Sequence, residues 1–176
     1  NRQYKVALFT EKSDDNISYS GTSGRWYAIN EDFKNHGIEA SIRGQEDNGF
    51  TWHAGLTWQD PKSKQTTEKT SAKRYWDRSY GRILLTGGVG YEKEKWTTAL
   101  NFSYLADRVQ SPLAAHSHSV KPYLLTSMTV KYSPNKSSDI MLAIDNLLNR
   151  KDIVSHTTSD YYATPRNFIL SYRYKF

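Results

Sequence analysis

The chain has 176 residues, 37% of them hydrophobic and 14% aromatic, with 13 Tyr, 5 Trp, 5 Pro and no Cys. That length allows one domain or part of one, the aromatic content suits a β-rich unit, and the lack of Cys excludes disulfide and thiolate chemistry. A net charge of +6 permits nucleic-acid binding, but no basic helix, RNP-like strand or zinc-finger spacing accompanies it, so nucleic acid is not an expected partner.

A mean hydropathy of -0.77 would normally mark a water-soluble protein. A transmembrane barrel hides its apolar residues at every second position, however, so its average stays polar. No run approaches the ~20 apolar residues of a spanning helix, and Ile83-Leu84-Leu85 is followed at once by Thr86 and Gly87. Any membrane crossing is therefore made by strands. The start, Asn1-Arg2-Gln3-Tyr4, has neither an initiator Met nor an apolar signal core, which reads as a processed or truncated piece.

Period-2 alternation recurs along the chain, with no sustained helical period. In chain order, strands are expected near residues 4 to 13, 25 to 44, 50 to 59, 79 to 92, 96 to 107, 122 to 133, 138 to 146 and 166 to 176. The clearest is Trp96 to Asp107, where Trp96, Thr98, Leu100, Phe102, Tyr104 and Ala106 share one face and Thr97, Asn101, Ser103 and Asp107 the other. Leu124, Met128, Val130 and Tyr132 oppose Ser127, Thr129 and Lys131, and Phe168, Leu170, Tyr172, Tyr174 and Phe176 oppose Asn167, Ser171, Arg173 and Lys175.

Connections alternate in length. The turns at 46 to 49, 92 to 95 and 134 to 137 are short, whereas those near 14 to 24, 60 to 78, 108 to 121 and 147 to 165 are long, as at the two ends of an outer-membrane barrel. Aromatics gather at the short-turn side (Phe50, Tyr91, Trp96, Tyr132, Phe176) and toward the long loops (Tyr80, Tyr104, Tyr123), like two interfacial girdles. A soluble sandwich or lipocalin-like barrel shows the same alternation with its apolar face inward. The girdles and the amide-rich and charged polar faces favour an antiparallel transmembrane β-barrel, with about eight strands here.

Several motifs then resemble the TonB-dependent receptor family. Asn35-His36-Gly37-Ile38-Glu39-Ala40 is similar to its Gly-hydrophobic-Glu signature, and Ile144-Asp145-Asn146-Leu147-Leu148-Asn149 to its Asn-Leu-(Phe or Leu)-Asn segment. Tyr162-Ala163-Thr164-Pro165-Arg166-Asn167-Phe168 resembles the Pro-(Gly)-Arg element before the last strand, without the usual Gly. The end, Leu170 to Phe176, resembles the membrane-insertion signal of outer-membrane barrels, carried by Tyr172, Tyr174 and Phe176.

This resemblance implies that residues 1–176 are the C-terminal part of a plugged barrel of roughly 22 strands, with the plug domain absent from this chain. It implies a Gram-negative outer-membrane location and active uptake of a ferric siderophore. The implied partners are the inner-membrane TonB complex acting through the plug, the barrel assembly machinery, lipopolysaccharide, and the rest of the barrel, whether the same chain or a second one. A haem receptor and a passive porin-like or structural barrel are the alternatives. Catalysis and resident cofactors are not expected, since none of the five His falls in a nucleophile or zincin motif.

For the ligand, Lys73-Arg74-Tyr75-Trp76-Asp77-Arg78 is the leading candidate. Cationic groups beside aromatic rings suit an anionic ferric catecholate through charge and stacking. The same residues could hold lipopolysaccharide phosphates or join the outer girdle, and Tyr161 and Tyr162 share that ambiguity. His116 and His118 could ligate haem iron or another metal, although two exposed loop residues is the simpler reading. Arg43, Arg82, Arg173, Glu39 and Asp107 are expected as wall charges facing the lumen, paired with one another or with the plug.

Overall fold

The computed structural model describes residues 1–22, 24–66, 73–76, 81–109, 119–156 and 160–176, and their side chains except at 18–22, 27, 29, 31, 63–66, 73–76, 109, 119 and 156. Every regular element among the described residues is a strand: β1 (Arg2–Thr22), β2 (Arg25–Gln45), β3 (Phe50–Gln59), β4 (Lys62–Thr66), β5 (Lys73–Trp76), β6 (Ile83–Lys93), β7 (Trp96–Ala106), β8 (Arg108–Val109), β9 (Ser119–Val120), β10 (Tyr123–Asn135), β11 (Ser138–Asp145), β12 (Ile153–His156), β13 (Asp160–Tyr162) and β14 (Asn167–Tyr174).

Ten of these strands form one antiparallel sheet in the order β14-β11-β10-β7-β6-β3-β2-β4-β5, with β1 on the far side of β2, while β8–β9 and β12–β13 are separate two-stranded ribbons. The sheet is open: among the described residues β1 and β14 have no partner on their outer edges. Such edges are untenable in hydrocarbon, where no water can satisfy them. Short turns join strands at one end. At the first of these, Gly49 has a φ of 87°, and a Cβ there would lie 1.9 Å from the Glu92 carbonyl oxygen. No other residue fits that approach.

Register decides which side chains share a face, because directly paired residues point the same way. Leu100 pairs with Val89 and with Met128, Phe102 with Gly87 and Thr126, and Leu142 with Val130 and Leu170. Continuing across the sheet, Val6 pairs with Ala40, Ala40 with Leu56 and Leu56 with Leu85. One whole face is therefore apolar, and it is left uncovered: Leu8 is 80% exposed and Leu170 74%. Among the described residues only Ala106 and Ala163 are buried hydrophobics, so this sheet has no packed apolar core of the soluble kind. Such an uncovered apolar band is what the outward face of a membrane barrel presents to lipid. At the short-turn end Trp96 and Tyr132 stack across β7 and β10 with ring centroids 4.6 Å apart.

The structure corrects some expectations. Residues 14 to 24, read as a long loop, are mostly strand, since β1 and β2 stay paired from Arg2 and Gly44 up to Thr22 and Arg25. The register shifts once, between Ser13 and Asn16, where Asp15 has a φ of 56° and its amide donates to Asp32 Oδ1 at 3.2 Å. Polar residues on both faces hid this extension, because a hairpin wetted on both sides has no alternation to read. The 60-to-78 segment holds the β4–β5 hairpin, with β4 continuing β3 past Asp60-Pro61 along the upper half of β2. Tyr123 pairs with Leu105 on the inner face, not in the outer girdle. The final strand stops at Tyr174, so Phe176 lies beyond it, its ring edge-on to Tyr174 at 5.2 Å.

Candidate ligand cavity on the inner face

One register row crosses the inner face from end to end: Gln3, Arg43, His53, Gly88, Asn101, Ser127, Asp145 and Asn167. Its two ends differ. On the β1 side Arg43 is occupied locally, its Nε donating to Gln3 Oε1 at 2.7 Å. On the β14 side Asn101, Ser127, Asp145 and Asn167 make no side-chain hydrogen bond with any described residue. These four line a cavity of about 530 Å³ together with Ser103 and Leu125, and Val154, Tyr162 and Ala163 close its loop end. Among its described lining residues Asp145 alone is charged.

The loop-end wall is held by local chemistry. The Asn-Leu-Leu-Asn segment is a turn in which Asn146 and Asn149 adopt left-handed φ of 49° and 51°, a region Asn tolerates better than most residues. Asn146, 7% exposed, donates to the carbonyls of Arg150 and Thr164 at 2.8 Å each and accepts the Arg150 amide at 2.9 Å. Asn149 Oδ1 accepts the Arg166 amide at 3.1 Å, which ties this turn to the Pro-Arg element. The third motif has an equally local cause. A Cβ on Gly37 would sit 2.2 Å from the Trp58 carbonyl and 2.6 Å from the Phe9 ring.

Arg108, in a segment read as loop, was not foreseen as a functional residue. It is 6% exposed, and its guanidinium donates to the carbonyls of Lys121 at 3.3 Å, Ile153 at 2.6 Å and Val154 at 2.9 Å, while lying 4.8 Å from the Tyr123 ring centroid. It thereby pins β12, and Val154 of β12 faces the cavity. Beside it Asp152 accepts from Arg150 Nε at 2.7 Å and from the Leu124 amide at 2.9 Å. A second polar knot surrounds buried Asp60, which meets Lys62 at 2.6 Å and Arg82 at 3.4 Å, with Arg82 also pairing Asp107 at 3.2 Å. Of the five expected wall charges, Arg82 and Asp107 pair with each other.

The Arg150 hydrogen bond holds the Asp152 carboxyl below the ordinary carboxylate value, with burial opposing and the Leu124 amide assisting. Its folded value is depressed, so its stabilisation is complete above the unfolded value of ~3.9 and is lost as pH falls through the folded one. Amide exchange at Leu124 and Ala163 should accelerate beyond the intrinsic acid trend only below that ordinary value. Asp152→Asn should remove this step, and identical profiles for both proteins would disprove the linkage.

The sequence-derived candidates separate as follows. Lys73, Arg74, Tyr75 and Trp76 form β5, where register sets Lys64 opposite Arg74 and Lys62 opposite Trp76, while their side chains lie outside the described residues. Arg78, His116 and His118 lie outside them altogether. Tyr161 and Tyr162 sit exposed on β13, and only Tyr162 lines the cavity. Tyr172 and Tyr174 stand on the apolar face of β14. No group of three or more metal-ligating side chains occurs among the described residues.

The sequence model of the family described as "TonB dependent receptor-like, beta-barrel" matches residues 1–147. The chain belongs to that family. Solved structures agree on the fold of this TonB-dependent receptor barrel. The FrpB iron transporter of Neisseria meningitidis matches with a TM-score of 0.78 at 16% identity, over 99% of this chain and 29% of its own. The pyoverdine outer membrane receptor FpvA of Pseudomonas aeruginosa gives 0.75 at 18%, over 99% and 27%. The ferric-catecholate import receptor Fiu of E. coli K12 gives 0.70 at 17%, over 99% and 25%. The chain therefore spans little more than a quarter of those receptors' lengths. The comparison with curated protein sequences gives no match.

Proposed function

We propose that this chain forms the C-terminal part of the barrel of an outer-membrane receptor for TonB-coupled uptake of a ferric siderophore, with a catecholate complex the favoured ligand. The observation that carries the ligand class is the β4–β5 hairpin, whose register brings Lys62, Lys64, Lys73 and Arg74 into one ladder beside Tyr75 and Trp76. Lys64 lies between Arg74 on one side and Asp32 of β2 on the other, and Lys62 meets Asp60, so it is the cationic and aromatic composition of β5 that favours an anionic occupant. In this reading a plug and the TonB complex supply energy coupling, and the remaining strands complete the barrel. Lipopolysaccharide surrounds the rim, and Tyr172, Tyr174 and Phe176 serve the barrel assembly machinery as the insertion signal. The protein is a transporter rather than an enzyme.

The test is equilibrium binding of ferric catecholate, ferric hydroxamate and haem to the complete receptor. Replacing Arg74 and Arg78 together with Ala should weaken catecholate binding more than tenfold, since each charge-assisted contact contributes roughly 1.5–3 kcal/mol. Lys replacements should restore only part. Unchanged catecholate affinity in the double variant removes the hairpin as the site, and a loss confined to haem on replacing His116 and His118 supports the haem alternative instead.

A further inference from the structure

Where β3 runs on into β4, the sheet changes its neighbour on one side only. Along β2 the register is unbroken, from Gln59 opposite Gly37 to Lys62 opposite Lys34, and between them the Asp60 amide donates to the His36 carbonyl at 2.9 Å. On the other side the Gln59 amide donates to the Arg82 carbonyl at 2.9 Å, whereas Lys62 already stands opposite Trp76. Residues 60 and 61 are thus set against 77 to 81, and among the described residues no ladder pair joins the two strands in that interval. Pro61 is fully buried in this break and has no N–H to leave unpaired there.

Asp60 bridges the same break with charge. It is 6% exposed, and its Oδ2 lies 2.6 Å from Lys62 Nζ and 3.9 Å from His36 Nε2. Its Oδ1 is buried without a hydrogen bond to a described residue and faces Arg82 at 3.4 Å. Lys62 belongs to the β4–β5 hairpin and Arg82 to the entry of β6, from which it reaches Asp107 past the end of β7 at 3.2 Å. Beside this chain Asn35 donates to Gln59 Oε1 at 3.1 Å, and Gln59 donates to the Gly81 carbonyl at 3.0 Å. All these partners lie between β2 and β7, away from the open edges of the sheet.

We infer that Asp60 is a positioning residue for the cationic hairpin: its buried carboxylate ties β4–β5 to the barrel wall across the gap in the ladder, and so sets where Lys73, Arg74, Tyr75 and Trp76 stand over the barrel. For the use of that hairpin, the inference rests on the siderophore reading above. With 5 and 4 residues, β4 and β5 are too short to hold a direction by their own pairing. A strand held in place beforehand loses less ordering entropy when its ligand arrives. The sign of one effect separates positioning from plain neutralisation. Asp60 is a negative charge beside Lys62, so deleting that charge alone would strengthen attraction for an anion, whereas losing the tie weakens its binding.

The experiment uses the complete receptor and Asp60→Asn, which keeps the size of the side chain. Hydrogen exchange at the β4 and β5 amides should rise on the order of tenfold, the loss of one charge-assisted contact, with the middle of β6 and β7 unchanged. Lys62→Met, made from the hairpin end, should give the same rise, and the double variant no larger one, because all three cut a single tie. Affinity of Asp60→Asn for a ferric tricatecholate should fall on the order of tenfold as the hairpin loses its preset position. Heat-modified gel migration confirms that each variant folds. Faster hairpin exchange with unchanged affinity upholds the positioning and removes the hairpin as the ligand site. Unchanged exchange, additive rises in the double variant, or tighter binding of the anion overturns the inference and leaves the uptake reading intact.

Discussion

Replacing Leu100 with Arg will destabilise the folded barrel by about 2–4 kcal/mol in lipid vesicles, the usual cost of a cation facing lipid near the bilayer midplane. Leu100 lies mid-strand in β7 between Val89 and Met128, on the face whose apolar side chains are uncovered across the whole sheet, and is itself 41% exposed. The 11 residues of β7 match the ~9–11 that a tilted strand needs to span the hydrocarbon. An exposed Leu in a water-soluble sheet would accept Arg at almost no cost, so the size of the loss discriminates the two solvents. Thr129→Arg supplies the control, because Thr129 pairs with Ala99 and Ala143 on the inner face, where a long cation can reach lumenal water. Urea titration of the complete receptor in vesicles measures both. Equal midpoints for wild type and Leu100→Arg would falsify the lipid-facing placement.

What could be read from the sequence follows from how the sheet sorts its neighbours. Where one face meets lipid and the other water, alternation is enforced residue by residue, and the eight expected strands correspond to β1, β2, β3, β6, β7, β10, β11 and β14. Where both faces are wet that signal vanishes, so the upper half of β1 and the short β8–β9 and β12–β13 ribbons passed as loop. Asn101, Ser127 and Asn167 were legible as polar-face residues, but their alignment with Asp145 in one row required the register. Register depends on turn geometry and on shifts such as that between Tyr132 and Asn135, which composition does not reveal. The Asn-Leu-Leu-Asn motif was visible as a pattern, and its cause, two left-handed Asn residues bonded to Arg150, Thr164 and Arg166, belongs to tertiary structure. Arg108 carried no signal, since a lone Arg at a strand end looks like any solvated charge.

Arg108→Ala should release the β12–β13 hairpin, costing about 3 kcal/mol locally. Removing the guanidinium takes the donor from the part-buried carbonyls of Lys121, Ile153 and Val154, and hydrogen bonds from a charged donor contribute roughly 1.5–3 kcal/mol each without adding fully. Lys cannot substitute, because a single ammonium lacks the planar fork that reaches Ile153 and Val154 together while its face rests on Tyr123. Hydrogen exchange at Ala163, whose amide donates to the Asp152 carbonyl at 2.8 Å, should rise on the order of a hundredfold in Arg108→Ala, as such a cost implies. Exchange in the middle of β7 and β10 should stay at wild-type rates, since the membrane-spanning ladder does not depend on this clamp. Arg108→Lys should recover little of the protection. If Ala163 remains as protected in Arg108→Ala as in wild type, the hairpin is held by Asp152 and Asn146 alone, and Arg108 has no positioning role above the cavity.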